Sequence, residues 1–344
     1  ETPTELDLKR KKQLNMGKPP VYDRAALNLS EDEKAALRAE RGDGVWRFKL
    51  DHERIVWNDG ILGDISIDGA SVSDPVLIRG DGQILYTLAS VVDDTEMGVT
   101  HVVRGSDHVT NTGTQIQIMQ ALGGTAPSFA HHSLLTGPQG EALSKRLGTL
   151  ALKDLREAGI APQALLSLMS RLGSSDPVEL RTDIAELVEG FDITRFGASP
   201  TKFDAEDLKP LTAKYLSALP LAEVADDIAA LGVPADKVEQ FWAVTRENIT
   251  TLHDLAPWWE MFSKGADPVI DEEDREFIAQ AMTLLPEGDY DDETWGKFTA
   301  AVKEATGRKG KGLFMPLRKA LTGQAHGPDM SAVLPLLQVI KARG

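Results

Sequence analysis

The sequence contains no cysteine. That excludes disulfides and every metal site built on thiolates. It contains no run approaching the roughly 20 consecutive apolar residues of a membrane-spanning helix. No secretory leader opens it, because Glu1-Thr2-Pro3-Thr4-Glu5-Leu6-Asp7 is polar and acidic. It shows no internal repeat and no low-complexity segment. Positive charge is scarce: 37 Lys and Arg stand against 53 Asp and Glu, a formal net charge of -16. A cytoplasmic protein with no membrane partner is the expectation from these absences.

The acidic balance, taken alone, argues against a nucleic-acid partner, because a polyanion needs Lys and Arg against its phosphates. Net charge is a global sum, however, and binding is decided by local clusters. Two basic clusters survive: Lys9-Arg10-Lys11-Lys12, and Arg308-Lys309-Gly310-Lys311 with Arg318-Lys319 just beyond. Charge alone reads either as a solvated face.

The length of 344 residues exceeds one ordinary domain and suits two or three. The apolar fraction, 42%, is enough to bury sizeable cores. The first residue is not Met, and Glu1-Thr2-Pro3 reads as the start of a helix, with Thr2 as N-cap and Pro3 in the first turn. A piece of a longer protein is therefore expected. Residues 1 to about 40 read as charged helices broken at Pro19-Pro20. Val45–Leu50 alternates apolar and charged residues, as a half-buried strand does. Short strands are expected at Arg54–Trp57, Ile61–Ile67 and Pro75–Leu77, with a turn at Gly80-Asp81-Gly82.

An α/β rhythm follows. Ile84–Tyr86 reads as the end of a strand, Thr87–Met97 as a helix stopped by Gly98, and Thr100–Arg104 as a buried strand. Asn111–Leu122 reads as a helix stopped by Gly123-Gly124, and Ser128–Leu135 as another strand. Helices alternating with short apolar strands imply a parallel, doubly wound sheet, of which about half is present. Beyond Leu150 the spacing is almost wholly helical, with a boundary expected near Thr212–Leu221.

The stretch Gly137-Pro138-Gln139-Gly140-Glu141-Ala142-Leu143-Ser144-Lys145-Arg146 carries the plainest chemistry. It is a glycine-bearing loop after a strand, and ligands of open α/β sheets sit outside the carboxyl ends of strands. A cationic loop there can cover a triphosphate and stabilise charge developing in phosphoryl or adenylyl transfer. By itself Ser-Lys-Arg is a surface hairpin more often than a site.

Its context changes that weighting. Leu85-Tyr86-Thr87-Leu88-Ala89-Ser90-Val91-Val92-Asp93-Asp94-Thr95-Glu96-Met97-Gly98-Val99-Thr100-His101-Val102-Val103-Arg104-Gly105-Ser106-Asp107-His108 resembles the catalytic core of bacterial glutamyl-tRNA synthetases, of class I. Asn111-Thr112, Gln115, Ala121-Leu122-Gly123, Phe129-Ala130-His131 and Leu143-Ser144-Lys145-Arg146 follow in that family's order. Leu313–Gly323, then His326-Gly327-Pro328, resembles the family's helical anticodon-binding segment. The resemblance covers essentially the whole chain.

It implies a multidomain α/β plus all-α protein. Residues 1–85 would be the remainder of a connective, acceptor-binding insertion. Residues 86–136 would be the second half of a Rossmann-type catalytic domain. Residues 137–212 would hold the KMSKS-type loop and stem-contact helices, and residues 213–344 a helical anticodon-binding domain. The implied function is glutamate–tRNA ligation: ATP and L-glutamate form a glutamyl-adenylate, and tRNA-Glu accepts the glutamyl group. The cofactor is ATP with Mg2+, no zinc is expected, and the expected state is a monomer. Charging of tRNA-Gln as well stays open.

The resemblance also implies roles. Lys145 would contact the ATP phosphates and stabilise the adenylation transition state, with Ser144 and Arg146 beside it. Ala142 stands where the loop pattern has its first lysine. Arg104 would bind the substrate glutamate, since a guanidinium donates two parallel hydrogen bonds to a carboxylate; the alternative is an ion pair with Asp93, Asp94 or Asp107. Tyr86 and Ser90 would line the glutamate pocket, Ser90 replacing a common Asn. Asp107 and His108 would lie near the ATP. Arg318, Gly327, Pro328 and Arg246 would contact the anticodon. Thr212 replaces an Asn of the stem-contact segment. His131-His132 reads as lining or packing beneath the nucleotide pocket, and not as a metal pair, because no i, i+4 partner exists. The family's glycine-rich HIGH-type turn is absent from these residues. The chain as given is therefore expected to bind tRNA without forming the adenylate.

Overall fold

The computed structural model describes residues 1–141 and 151–343, which fall into two compact units. The first comprises Glu1–Ala142, Gly173–Asp176 and Phe191–Phe203. It opens with α1 (Pro3–Asn15) and α2 (Glu31–Arg41), each started by a capping box. The Thr2 hydroxyl accepts from Glu5 N–H at 3.2 Å while the Glu5 carboxylate accepts from Thr2 N–H at 2.7 Å; Ser30 and Glu33 repeat the arrangement. Neither helix buries a residue. In the basic run of α1, Lys9 pairs with Asp23 (2.6 Å) and with Glu1, and Lys11 with Asp7.

The next strand, β1 (Trp46–Arg47), is shorter than the alternation from Val45 to Leu50 suggests. Phe48 N–H donates to the Pro75 carbonyl at 3.0 Å, and Pro75 has no N–H with which to continue the ladder. A hairpin follows, β2 (Arg54–Asp59) against β3 (Gly63–Asp68), and then β4 (Val76–Ile78), which pairs with β1. Tyr86 does not end a strand. Ile84 makes a lone bridge to Ile78, Leu85 N–H donates to the Leu77 carbonyl, and Tyr86 is the first residue of α3 (Tyr86–Glu96). Leu88, Val91, Val92 and Thr95 already recur at helical spacing there, with Val91 buried, so the helical period prevails over the aromatic's strand preference.

Beyond α3 come β5 (His101–Gly105), α4 (Val109–Ala121) and β6 (Ser128–His132), a β-α-β unit with its strands parallel. The sheet runs β3-β2-β6-β5, with β2 joined to β6 through Asp59 opposite Phe129. The parallel pairing expected is present at β5–β6, and the hairpin makes the sheet mixed. α4 ties the layers together: Ile116 packs against Ile55 and Phe129, while Ile118 and Met119 pack against Val91 of α3. After β7 (Leu135–Thr136), a late strand β8 (Thr201–Lys202) pairs parallel to it.

The second unit comprises Leu143–Leu172, Pro177–Gly190 and Asp204–Gly344, and its described elements are helical. They are α5 (Leu152–Glu157), α6 (Pro162–Met169), α7 (Ile184–Glu189), α8 (Leu208–Ala218), α9 (Ala225–Ala230), α10 (Val238–Thr245), α11 (Leu255–Lys264), α12 (Arg275–Met282), α13 (Thr294–Thr306), α14 (Lys311–Thr322) and α15 (Met330–Val333). One core holds α8 to α15 together, with Phe241, Phe262, Phe298, Leu317 and Leu334 wholly enclosed. Thr212 is buried in α8, and its hydroxyl accepts from Ala161 N–H at the start of α6 (3.3 Å), which satisfies an amide that helix cannot satisfy itself. Among the described residues no helix is long and apolar enough to cross a membrane.

Candidate functional site

The carboxyl end of β5 delivers Arg104, and the neighbouring end of β6 delivers His131, opposite it in register. α3 contributes Tyr86 and Ser90, and α4 contributes Thr112 and Gln115. All of these side chains but Tyr86 form one hydrogen-bonded network. Arg104 Nη2 donates to Thr112 Oγ1 and to Gln115 Oε1, both at 2.6 Å. Gln115 Nε2 donates to Ser90 Oγ at 3.0 Å. Arg104 Nε donates to His131 Nε2 at 3.4 Å, and Thr112 Oγ1 lies 2.8 Å from that same nitrogen. The guanidinium also lies over the Phe129 ring, 5.7 Å from its centroid.

Beneath the arginine sits a wholly buried pair. His131 Nδ1 lies 2.5 Å from Asp59 Oδ2, both side chains being fully excluded from solvent. Asp59 Oδ1 accepts three backbone N–H groups, from His131 (2.9 Å), Ile61 and Leu62 (3.1 Å each). Burial pushes the Asp59 carboxyl up, but the hydrogen bonds from the His131 ring and from these amides outweigh it and hold the group at about 2. An ionised carboxylate only accepts, so His131 Nδ1 carries the proton. His131 Nε2 then accepts, as it must opposite a guanidinium that only donates. The tautomer is assigned by these partners.

Arg104 is therefore a fixed cation held by neutral acceptors. It makes no ion pair among the described residues, so the pairing with Asp93, Asp94 or Asp107 that the sequence left open does not form. Its Nη1 hydrogens have no partner there either. Tyr86 is more than half exposed, with its ring edge-on to His108 at 6.1 Å between centroids. Asp107 is exposed, 3.8 Å from His108 Nε2, and Asn111 Nδ2 lies 3.3 Å from His108 Nδ1. Ser144, Lys145, Arg146 and Ala142 lie outside the described residues. Among the described residues no group of three or more His, Asp or Glu is gathered that could hold a metal ion.

In the second unit Arg318 of α14 donates from Nη2 to the Pro328 carbonyl at 2.7 Å. Burial pushes its pKa down from the usual guanidinium value, and the Asp329 carboxylate opposes that shift. Gly327 adopts φ +148°, and a Cβ on it would stand 3.3 Å from Arg318 Nη1 and 3.8 Å from the Trp258 ring. Arg318, Gly327 and Pro328 thus share one place. Arg246, half-buried at the end of α10, has no hydrogen bond or ion pair to them. In the second basic run Arg308 is tied to Asp274 and lies over Phe277, and Lys319 is tied to Asp271. Lys309 and Lys311 make no ion pair among the described residues.

The sequence reading singled out Arg104, Tyr86 and Ser90 and noted Thr112, Gln115 and His131 in their order. It missed Asp59. The one local signal is the Asp59-Gly60 turn, which reads equally well as a plain hairpin bend.

Two family models match the chain. That of the catalytic domain of class I tRNA synthetases (E and Q) covers residues 1–210, and that of an anticodon binding domain covers residues 205–339. The chain is 78% identical over 343 residues to glutamate–tRNA ligase 1 of Roseobacter denitrificans, covering 100% of this chain and 78% of that relative. It is 78% identical to glutamate–tRNA ligase 2 of Ruegeria sp. (strain TM1040), with the same coverage. The fold matches the crystal structure of a glutamate tRNA ligase from Elizabethkingia meningosepticum in complex with its amino acid, at TM-score 0.82 and 25% identity, over 100% of this chain and 76% of that one. With both models in chain order and relatives of this identity along its whole length, the chain belongs to the glutamate–tRNA ligases, class I aminoacyl-tRNA synthetases.

Proposed function

We propose that Arg104 binds a carboxylate of L-glutamate in an ATP-dependent ligation to tRNA-Glu. The observation that carries this is the Arg104 guanidinium: Thr112, Gln115 and His131 fix it without neutralising it, and its Nη1 edge is left to a ligand. A carboxylate meeting such a group gains charge-assisted, geometrically selective hydrogen bonds. Tyr86 and Ser90 flank it as pocket wall and hydrogen-bonding hydroxyl. Asp107 and His108 face the ATP side, and Ser144, Lys145 and Arg146 take the phosphates. The carboxylate oxygen of glutamate attacks the α-phosphorus, pyrophosphate leaves, and a tRNA 3′-terminal hydroxyl then displaces AMP from the acyl carbon. Positioning and electrostatic stabilisation carry the rate.

Mg2+ enters this proposal with ATP, since the ion usually takes phosphate oxygens and waters and not an all-protein cage. Its chemistry there is neutralisation of phosphate charge. Arg318, Gly327 and Pro328, with Arg246, read the anticodon, and the chain divides functionally at about residues 85, 136 and 212. A monomer in the cytoplasm that charges tRNA-Glu completes the reading, with tRNA-Gln as the substrate to compare.

The test is Arg104→Ala and Arg104→Lys, with L-glutamate affinity by calorimetry. Loss of two charge-assisted bonds weakens glutamate about 100-fold or more. An unchanged affinity in Arg104→Ala removes Arg104 from the site.

A further inference from the structure

We infer that the buried Asp59–His131 pair is a positioning device for Arg104: it fixes the histidine tautomer that presents an acceptor to the guanidinium. This rests on the reading of Arg104 as the carboxylate-binding cation. Neither Asp59 nor His131 reaches a substrate, because both side chains are fully enclosed. What marks this histidine is the partner of its second nitrogen, which is the site cation and not a core group. Both ring nitrogens are committed, one to a carboxylate and the other to the site cation and its hydroxyl partner.

The geometry makes the tautomer switchable by one atom. In Asp59→Asn the three backbone N–H groups on Oδ1 hold the amide carbonyl in that place. The new NH2 then occupies the Oδ2 position, 2.5 Å from His131 Nδ1. Two donors cannot share that contact, so Nδ1 becomes the acceptor and the ring proton moves to Nε2. Thr112 can adapt, because its hydroxyl can accept from Nε2–H and donate to the His108 carbonyl at 3.2 Å. Arg104 Nε–H cannot adapt, because it then faces another N–H, and the negative charge beneath the guanidinium is gone as well.

The experiment uses the whole chain, labelled with 15N in histidine. In the unaltered protein the His131 ring shows the Nδ1–H pattern, and in Asp59→Asn the Nε2–H pattern, with the thermal melt still cooperative. L-Glutamate affinity falls about tenfold in Asp59→Asn, the low end for one hydrogen bond to a charged group. His131→Asn keeps a donor where Nδ1 stood, and so keeps the Asp59 contact, but removes the acceptor at Nε2; it shows a similar loss. Where Asp59→Asn fails to fold, His131→Asn carries the test. An unflipped ring, or a flipped ring with glutamate affinity unchanged while Arg104→Ala loses it, overturns the positioning role and leaves the Arg104 reading standing. Absence of glutamate binding in the unaltered protein, or no effect of Arg104→Ala, removes that reading and the inference with it.

Discussion

Asp74→Ala should destabilise the first unit by about 3 kcal/mol. The Asp74 carboxylate is almost completely buried, and the Arg24 guanidinium grips both its oxygens, Nε to Oδ2 and Nη2 to Oδ1, each at 2.7 Å. Oδ1 also accepts Leu50 N–H at 3.0 Å. Arg24 has a left-handed backbone (φ 57°), a conformation that costs a non-glycine residue roughly 1 kcal/mol and that this pairing helps to hold. Removing one partner of a buried pair typically costs about 3–5 kcal/mol, because the other charge stays behind without compensation. The low end applies here: the Arg24 side chain is 19% exposed and keeps the Leu50 carbonyl as an acceptor. Hydrogen exchange read by mass spectrometry, peptide by peptide, distinguishes the units. Peptides around Leu50 and β4 should lose protection, while those of the helical core around Phe241 and Leu317 keep theirs. The double variant Arg24→Met/Asp74→Leu should recover most of the loss, since a packed apolar pair is often as stable as a buried ionic one. A loss under about 1 kcal/mol, or one spread equally over both units, would refute this account of the pair.

Three further outcomes follow from the same contacts. The carboxyls of Asp59 and Asp74 lie below the ordinary aspartate value of 3.8 in the fold, Asp59 at about 2. Their stabilisation is therefore complete above pH 3.8 and is lost as pH falls toward 2, about 2 kcal/mol for Asp59 alone; an acid titration of hydrogen exchange in β2 and β6 that stays flat across that window contradicts the linkage. Gly327→Ala puts a Cβ 3.3 Å from Arg318 Nη1 in a backbone conformation that glycine favours, costing about 1–3 kcal/mol and weakening binding of a tRNA-Glu anticodon stem-loop; equal binding in a filter assay counts against that site. Leu317→Ala, in the closed core of the helical unit, should lower its stability by about 2–5 kcal/mol in urea denaturation, and a loss below about 1 kcal/mol would mean the cavity collapses.

Periodicity alone marked α4, β5 and the helical second half, because one-sided burial imposes a spacing of 3.6 or 2 on the chain. The N-cap at Thr2 was likewise legible, because its partner amide lies three residues on. The helical start at Tyr86 was not, because the strand ending at Ile84 is a single bridge set by β4, more distant in the chain. The family resemblance pointed to Arg104 and its neighbours, because its matched block runs unbroken through these residues. It left open whether Arg104 was free or ion-paired. That was decided by Thr112, Gln115 and His131, which accept its hydrogens without adding charge. Asp59 lies 72 residues before His131, and no local pattern joins them. The sequence by itself determined the periodic elements such as α4 and β5 and the family resemblance that points to Arg104. Only the tertiary structure decided which side chains touch, because it brings the ends of β2 and β6 together and encloses the pair where a carboxylate must find its donors within the protein.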